Sequence, residues 1–165
     1  MLAGDLELNA GDPQAAYDTL AEGQEILASH AETGYISTMV GLRAQAALAL
    51  GRDDEALELA HETERLAQKD DFDPHMRARL VRAEVLARRG DSDRAHELLK
   101  EATELIESTD YAFLHLALGE VTAAVCRLAG DRDGERVALE KALAAAEWKG
   151  HLVAEARIRA RLAEL

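Results

Sequence analysis

A glycine returns along this chain at an almost constant interval. Gly11, Gly51, Gly90 and Gly130 are separated by 40, 39 and 40 residues, and each stands in a similar phrase, such as LALGRDDEA or ARRGDSDRA. An internal repeat of this length marks a supersecondary unit that buries its apolar face only by stacking on its neighbours. The period predicts a stack of helical hairpins, an architecture that usually binds other molecules and does not transform them.

The residues around the repeated glycine follow a pattern of size. Seven residues before it, each unit has a small residue: Gly4, Ala44, Ala83 and Ala123. Five residues after it, three units have alanine and the fourth departs: Ala16, Ala56, Ala95 and Glu135. Rows of mostly larger residues follow at nine and fifteen positions after it: Leu20, Ala60, Leu99 and Leu139, then Ile26, Leu66, Leu105 and Ala145. We expect these rows to lie near one face, with small residues where helices cross.

The composition predicts an all-α protein. Alanine and leucine dominate, aromatic residues make up only 4%, and no alternating β-branched run is present. Each repeated glycine is expected to end a helix in the left-handed conformation. Helix N-caps are predicted at Asp12, Asp53, Ser92, Asp131 or Asp133, and, between repeats, at Asp73 and Asp110. Helices are expected at about 1–10, 13–30, 36–50, 53–68, 74–89, 92–108, 111–129, 132–148 and 151–164.

This pattern predicts a single domain, a right-handed superhelix of four antiparallel hairpins and a closing helix. The repeats are expected at about 1–33, 34–72, 73–109 and 110–149, with the closing helix at 150–165. The first helix is about half the length of its counterparts, which suggests a piece of a longer polypeptide.

Charge limits the classes of partner. The formal net charge is −13, so phosphate backbones and anionic lipids would be repelled, and neither nucleic acid nor a membrane is expected as a direct partner. Arginines cluster between Arg77 and Arg89 and again between Arg157 and Arg161. They indicate either helix faces paired with nearby glutamates or, less favoured, a basic docking stripe. Without a membrane-spanning run or a leader, the chain is expected to be cytoplasmic.

The sequence offers no motif for catalysis or for a cofactor. Neither GxxxxGK[ST] nor GxGxxG nor GxSxG occurs, and no two histidines stand four residues apart as a helical zinc pair would. The acidic loop of Asp70, Asp71 and Asp73 lacks the glycine and the distal glutamate of a calcium loop, so helix capping is favoured there. Cys126 is the sole cysteine and is expected to pack as a small hydrophobe. We therefore expect a non-enzymatic protein without cofactor or metal.

The small residue, the turn glycine and the alanine at these offsets resemble the tetratricopeptide repeat, in a variant with longer helices. From about Gly34 onward, stretches such as TGYISTMVGLRAQAALALGRDDEA and the ending ALEKALAAAEWKGHLVAEARIRARLAEL resemble the C-terminal repeat region of certain bacterial multidomain proteins. Those proteins join a nucleotidyl cyclase or a DNA-binding domain to an AAA-type ATPase. The resemblance implies a scaffolding or sensory role in a signalling or transcriptional regulator.

In such repeats the first helix of each hairpin lines a concave binding surface. The resemblance places eight residues there: Thr38, Gln45, Arg77, Glu84, Arg88, Glu120, Arg127 and Arg157. Their mixed charge suits an extended peptide, a partner helix, or another domain of a parent ATPase or cyclase. One alternative is a sensory domain that binds a small effector in the groove, and a weaker one is self-association through an open first repeat. At each position a merely solvated side chain is an equally good interpretation.

Overall fold

A computed structural model describes residues 2–29, 35–107 and 109–165, apart from the side chain of Leu2. Within these residues the chain forms helices and no strand, so the all-α class is confirmed. The helices, numbered in chain order, are α1 (Leu2–Ala10), α2 (Pro13–Ser29), α3 (Ile36–Ala49), α4 (Asp53–Leu66), α5 (Phe72–Arg88), α6 (Ser92–Ile106), α7 (Ala112–Leu128), α8 (Arg132–Lys149) and α9 (Leu152–Ala163). Described boundaries agree with the predicted ones to within two residues. Most of the predicted connection between α2 and α3 lies outside the described residues.

The repeated glycine builds the same turn in every unit. Its φ angle is +83°, +74°, +85° and +76° at the four positions in chain order, as predicted for a left-handed helix end. In each turn the residue after the glycine donates its amide to the carbonyl five residues back, at 2.9 Å. This pairing satisfies carbonyls that a helix end otherwise leaves free. Gly150, with φ +72°, forms the same turn between α8 and α9.

The turn also fixes which residue caps the next helix. The N-cap is the residue directly after the glycine, so Asp12 and Asp131 cap α2 and α8 as predicted, with oxygens 3.0 Å and 2.9 Å from the amides of Ala15 and Gly134. Asp91, one residue before the predicted Ser92, caps α6.

The caps predicted for α4, α5 and α7 are also wrong. Arg52 occupies the N-cap position of α4, so Asp53 is the first residue of that helix. Between repeats, α5 begins at Phe72 and already contains Asp73, whereas α7 starts one residue later than expected, with Tyr111 in the place given to Asp110.

The chain divides into two compact units, residues 1–82 and 83–165, with the boundary inside α5. In the first unit α1 packs on α2, α2 on α3, and α3 on α4. One part of its core joins Leu20 of α2 to Met39 and Leu42 of α3, with Leu8 and Leu27 packed against them. The single-domain organisation stays a prediction.

In the second unit α7 packs on both α6 and α8, and α8 packs on α9. One core cluster combines apolar residues of the last three helices: Leu116, Ala123, Ala138, Leu139, Ala142, Ala146, Ala154 and Ile158. α7 and α8 approach each other closely at Gly119, where a Cβ atom would lie only 2.8 Å from the Cβ of Ala142. The packing of α7, α8 and α9 positions the side chains of the candidate site.

Three of the four predicted rows are confirmed as buried, and the fourth is only partly buried. Ala16, Ala56 and Ala95 have no exposed surface, and Glu135 in the fourth unit is 3% exposed. In the row fifteen residues after the glycine, however, Ile26 is 53% exposed and Leu66 is 38% exposed. Each residue turns the helix by about 100°, so six residues turn it by about 600°. This is about 120° short of two full turns, so the row lies about 120° away from the preceding row. That row therefore lies at the edge of the core: Ile26 and Leu66 are exposed, whereas Leu105 and Ala145 are half-buried.

Candidate functional site

The eight residues predicted to form a binding surface fall into separate local groups. In the first unit, Thr38 and Gln45 share one face of α3 because they are seven residues apart. Gln45 accepts a hydrogen bond from Arg77 at 2.9 Å, and Arg77 also pairs with Asp73 at 2.6 Å. The Arg77 side chain is only 11% exposed, so it joins α3 to α5 and presents little charge to solvent.

In the second unit the remaining five residues form two groups. Glu84 and Arg88 lie one turn apart on α5 and form an ion pair at 2.6 Å. Glu120, Arg127 and Arg157 come together at a groove between α7, α8 and α9. The groove is the strongest candidate site in this unit because it combines a cavity with several charged side chains.

We call this cavity the α7–α8–α9 groove. Its volume is about 190 Å³, and its lining has an apolar wall and charged groups: Glu120, Ala123, Ala124, Arg127, Glu135, Leu139, Arg157, Ile158 and Arg161. The apolar wall belongs to the core cluster of the second unit, so packing that is needed for folding also shapes the cavity.

At the groove an ion pair joins two residues that the sequence did not single out as a site. Arg161 of α9 donates from Nε and Nη2 to Oε1 of Glu135 of α8, at 2.9 Å and 2.7 Å. The Glu135 side chain is 4% exposed and that of Arg161 is 33% exposed. A carboxylate so deeply buried requires a charged partner. One sequence feature pointed to this pair: Glu135 stands where the other units have alanine. The sequence did not indicate that Arg161 would be the partner of Glu135.

A second ion pair lies at the same groove and is more exposed. Arg157 contacts Oε1 of Glu120 through Nε at 3.1 Å and Nη2 at 2.8 Å. Arg127 is also exposed, and the described part of the chain offers its side chain no hydrogen bond or ion pair. The groove therefore carries three arginines and two glutamates, one positive charge in excess, in a chain whose net charge is −13.

Cys126 lies beside this region and is unsuited to nucleophilic chemistry. It is 5% exposed, and burial, with the nearby carboxylates of Asp131 and Glu135, raises the pKa of its thiol. Since the thiolate is the reactive form, a raised pKa and poor access both slow alkylation. Cys126 is buried as expected for a small hydrophobic residue.

We expect Cys126 in the folded protein to react with a thiol-specific disulfide reagent at least about tenfold more slowly than in urea, because the thiol is buried and protonated. As the pH is raised, the reaction rate of Cys126 should begin to increase at a higher pH than the rate of an ordinary exposed cysteine. A Cys126→Ser chain carrying Ala144→Cys, at an exposed position of α8, is the control and should react rapidly in both states. Equal rates for Cys126 in the two states would contradict the burial.

A metal centre is not apparent in the parts of the chain that the structure describes. No group of three or more His, Cys, Asp or Glu side chains converges there in a way that could hold an ion. In the acidic segment predicted as a capping loop, Asp73 lies in the first turn of α5 and binds Arg77. Among the described helices, none combines the length and the apolar character that crossing a membrane requires.

Comparison of the chain with protein-family models, with curated proteins and with solved structures found no match.

Proposed function

We propose that this chain is a non-enzymatic protein-interaction module whose α7–α8–α9 groove binds an acidic segment of a partner protein. In this proposal the hairpins stack into a right-handed superhelix of the tetratricopeptide-like kind, with the groove on its concave face. The module would serve as the C-terminal repeat region of a cytoplasmic bacterial signalling or transcriptional regulator. The partner would then be another protein or another domain of the parent polypeptide, such as an ATPase or cyclase domain.

The observation that carries the proposal is the charge of Arg127. The other arginines of the predicted surface in this unit have acidic partners, Glu84 for Arg88 and Glu120 for Arg157. Arg127 has no such partner within the described residues, and it lies at a cavity that holds two further arginines. A carboxylate brought to Arg127 would gain a charge-assisted hydrogen bond without first breaking an existing pair.

The size of the cavity favours a peptide side chain as its occupant. Pockets that enclose whole small-molecule ligands have volumes of about 300–1,000 Å³, whereas this one has about 190 Å³. The volume suits one glutamate or aspartate side chain of a segment that continues along the surface.

The test uses a labelled twelve-residue peptide that contains four glutamates and a matched peptide with four glutamines. We expect the acidic peptide to bind more tightly, and we expect Arg127→Glu to weaken its binding at least about tenfold, which corresponds to about 1.4 kcal/mol. Binding should also weaken as salt is raised, because the screening length falls from about 10 Å at 0.1 M to about 3 Å at 1 M. Fluorescence anisotropy measures both effects.

Arg136→Glu is the matched control, because Arg136 is exposed on α8 and does not line the groove. It makes the same change in net charge and should alter the affinity less than about twofold. Equal effects of the two reversals, or equal binding of the two peptides, would refute recognition by the groove.

A sensory domain for a small effector is the second candidate, and the three arginines that line one cavity favour it. Arg161 is engaged by Glu135, but Arg127 at the same cavity would receive an effector carboxylate. Titration with succinate distinguishes the two candidates. The small-effector function would be supported if succinate raised the melting temperature and Arg127→Glu abolished that increase. If the acidic peptide also failed to bind, peptide recognition would be excluded.

Self-association through the first repeat stays a prediction. Leu6 of α1 is 69% exposed, which is compatible with it.

A further inference from the structure

One ion pair joins the two outer helices of the α7–α8–α9 groove. α7 and α9 each pack on α8, and Arg157 of α9 reaches Glu120 of α7, which lies 37 residues earlier in the chain. Nε and Nη2 of Arg157 donate to Oε1 of Glu120 at 3.1 Å and 2.8 Å. An arginine of the groove thus already holds an acidic side chain, and that side chain belongs to the chain itself.

Of the ion pairs described at the groove, Glu120–Arg157 is the more exposed. Its side chains are 30% and 46% exposed, so water screens their attraction, and pairs of this kind contribute little stability. Glu135 is 4% exposed, so its departure from Arg161 would leave an unpaired buried charge. Glu120, in contrast, can turn into solvent. Another carboxylate can therefore replace Glu120 far more easily than it can replace Glu135.

The geometry of the Glu120–Arg157 pair favours replacement as well. Both hydrogen bonds from Arg157 end on Oε1, whereas a guanidinium that faces a carboxylate squarely binds its two oxygens through parallel hydrogen bonds. Glu120 and Arg157 project from different helices, so the packing of those helices limits how the two groups meet. A carboxylate on a separate segment is not limited in this way and can adopt the parallel arrangement.

Arg127 provides a second cationic position at the same groove. It lies seven residues after Glu120 on α7, which is about two helical turns, so both side chains share one face of the helix. Arg127 is exposed, lines the groove and has no acidic partner within the described residues. Once Glu120 had turned away from Arg157, the groove would present two arginines to a ligand.

We propose that the groove binds two carboxylates of one acidic segment, the first at Arg127 and the second at Arg157 in place of Glu120; this rests on the proposed function of the groove. Glu120 is then an internal competitor for Arg157. A segment with a single acidic side chain is held by Arg127 and leaves the Glu120–Arg157 pair intact. A segment with two acidic side chains engages both arginines, so Glu120 makes the groove selective for segments with more than one carboxylate.

Binding of the labelled peptide with four glutamates to a Glu120→Gln chain tests the competition. We expect this variant to bind the peptide at least about fivefold more tightly than the unmodified chain, because Arg157 no longer has to leave an internal carboxylate. Glu140→Gln is the matched control, since Glu140 is exposed on α8 and does not line the groove. It makes the same change in net charge and should alter the affinity less than about twofold. Fluorescence anisotropy measures both affinities.

Replacement of Arg157 distinguishes competition from simple repulsion between Glu120 and the peptide. If Glu120 competes for Arg157, the gain in affinity from Glu120→Gln should fall from at least about fivefold to about twofold or less in an Arg157→Gln background. Repulsion predicts the opposite, because Glu120 is no longer neutralised when Arg157 is absent. A gain that is equal or larger without Arg157 would overturn the competition.

The proposed function and the competition fail in different ways. Equal binding of the glutamate and glutamine peptides to the Glu120→Gln chain, where no competitor remains, would overturn recognition of an acidic segment and the competition with it. Binding that depends on Arg127 but does not respond to Glu120→Gln or to Glu120→Ala would overturn the competition alone. Because the Glu120–Arg157 pair is exposed, the midpoint of urea denaturation should change little in these variants.

Discussion

Replacement of Arg161 by methionine is expected to lower the free energy of unfolding by about 2–3 kcal/mol. The Glu135 carboxylate is 4% exposed, and Arg161 makes both of its hydrogen bonds to one oxygen of this group. Methionine keeps much of the apolar length of arginine but leaves the carboxylate without its countercharge. Losing one partner of a fully buried pair costs about 3–5 kcal/mol. We expect less here because the adjoining groove admits water to the site.

Arg159→Met is the matched control, two residues earlier on the same helix. Arg159 is 56% exposed and pairs with Glu147, which is 48% exposed, so the loss should stay below about 1 kcal/mol. A second control combines Arg161→Met with Glu135→Ala, which restores the alanine of the other units. The double variant should recover most of the lost stability because no buried charge remains. Urea denaturation measures all four chains; equal losses for Arg161→Met and Arg159→Met would show that the Glu135 carboxylate does not depend on its pair.

Gly119→Ala is expected to lower the free energy of unfolding by about 1–2 kcal/mol, although alanine is the better helix former by about 1 kcal/mol. The added Cβ would lie 2.8 Å from the Cβ of Ala142 and 3.0 Å from its Cα and backbone nitrogen. Since two of these three atoms belong to the backbone of α8, the clash can be relieved only by moving α7 away from α8.

Gly23→Ala, in the interior of α2, is expected to change the stability in the opposite direction. There the added Cβ would meet the terminal methyl of Met39, which can adopt another rotamer. We expect the helix propensity of alanine to prevail and the stability to rise by up to about 1 kcal/mol. Thermal or urea unfolding of the two variants gives the sign of each change. A stabilising Gly119→Ala would mean that α7 and α8 are not held at this distance.

The ion pairs change the interpretation of the arginines. The sequence left open whether they form a cationic strip or pair with nearby acidic residues. Arg77, Arg88 and Arg157 pair with Asp73, Glu84 and Glu120, so their charge is largely neutralised locally. Arg127 is the member of the predicted surface on which the proposed electrostatic binding rests.

Local signals were enough to predict the helices and their turns. A glycine with positive φ ends α1, α3, α5 and α7, and the residue after it caps the next helix wherever it is aspartate. These features depend on a few consecutive residues, because left-handed backbone and side-chain capping are satisfied within one turn. The burial of Ala16, Ala56 and Ala95 followed from the same repeat.

The candidate site depended on contacts between residues distant in sequence. Arg161 lies 26 residues after Glu135, and Arg157 lies 37 residues after Glu120, so no local pattern pairs them. A repeat reveals which positions are equivalent, but the partner of a charged side chain depends on how far apart the helices pack and how they are rotated. The sequence by itself determined the helical units and the turns that join them. The tertiary structure decided which charges are neutralised, that Glu135 is buried with Arg161, and that Arg127 lies at a cavity without a partner among the described residues.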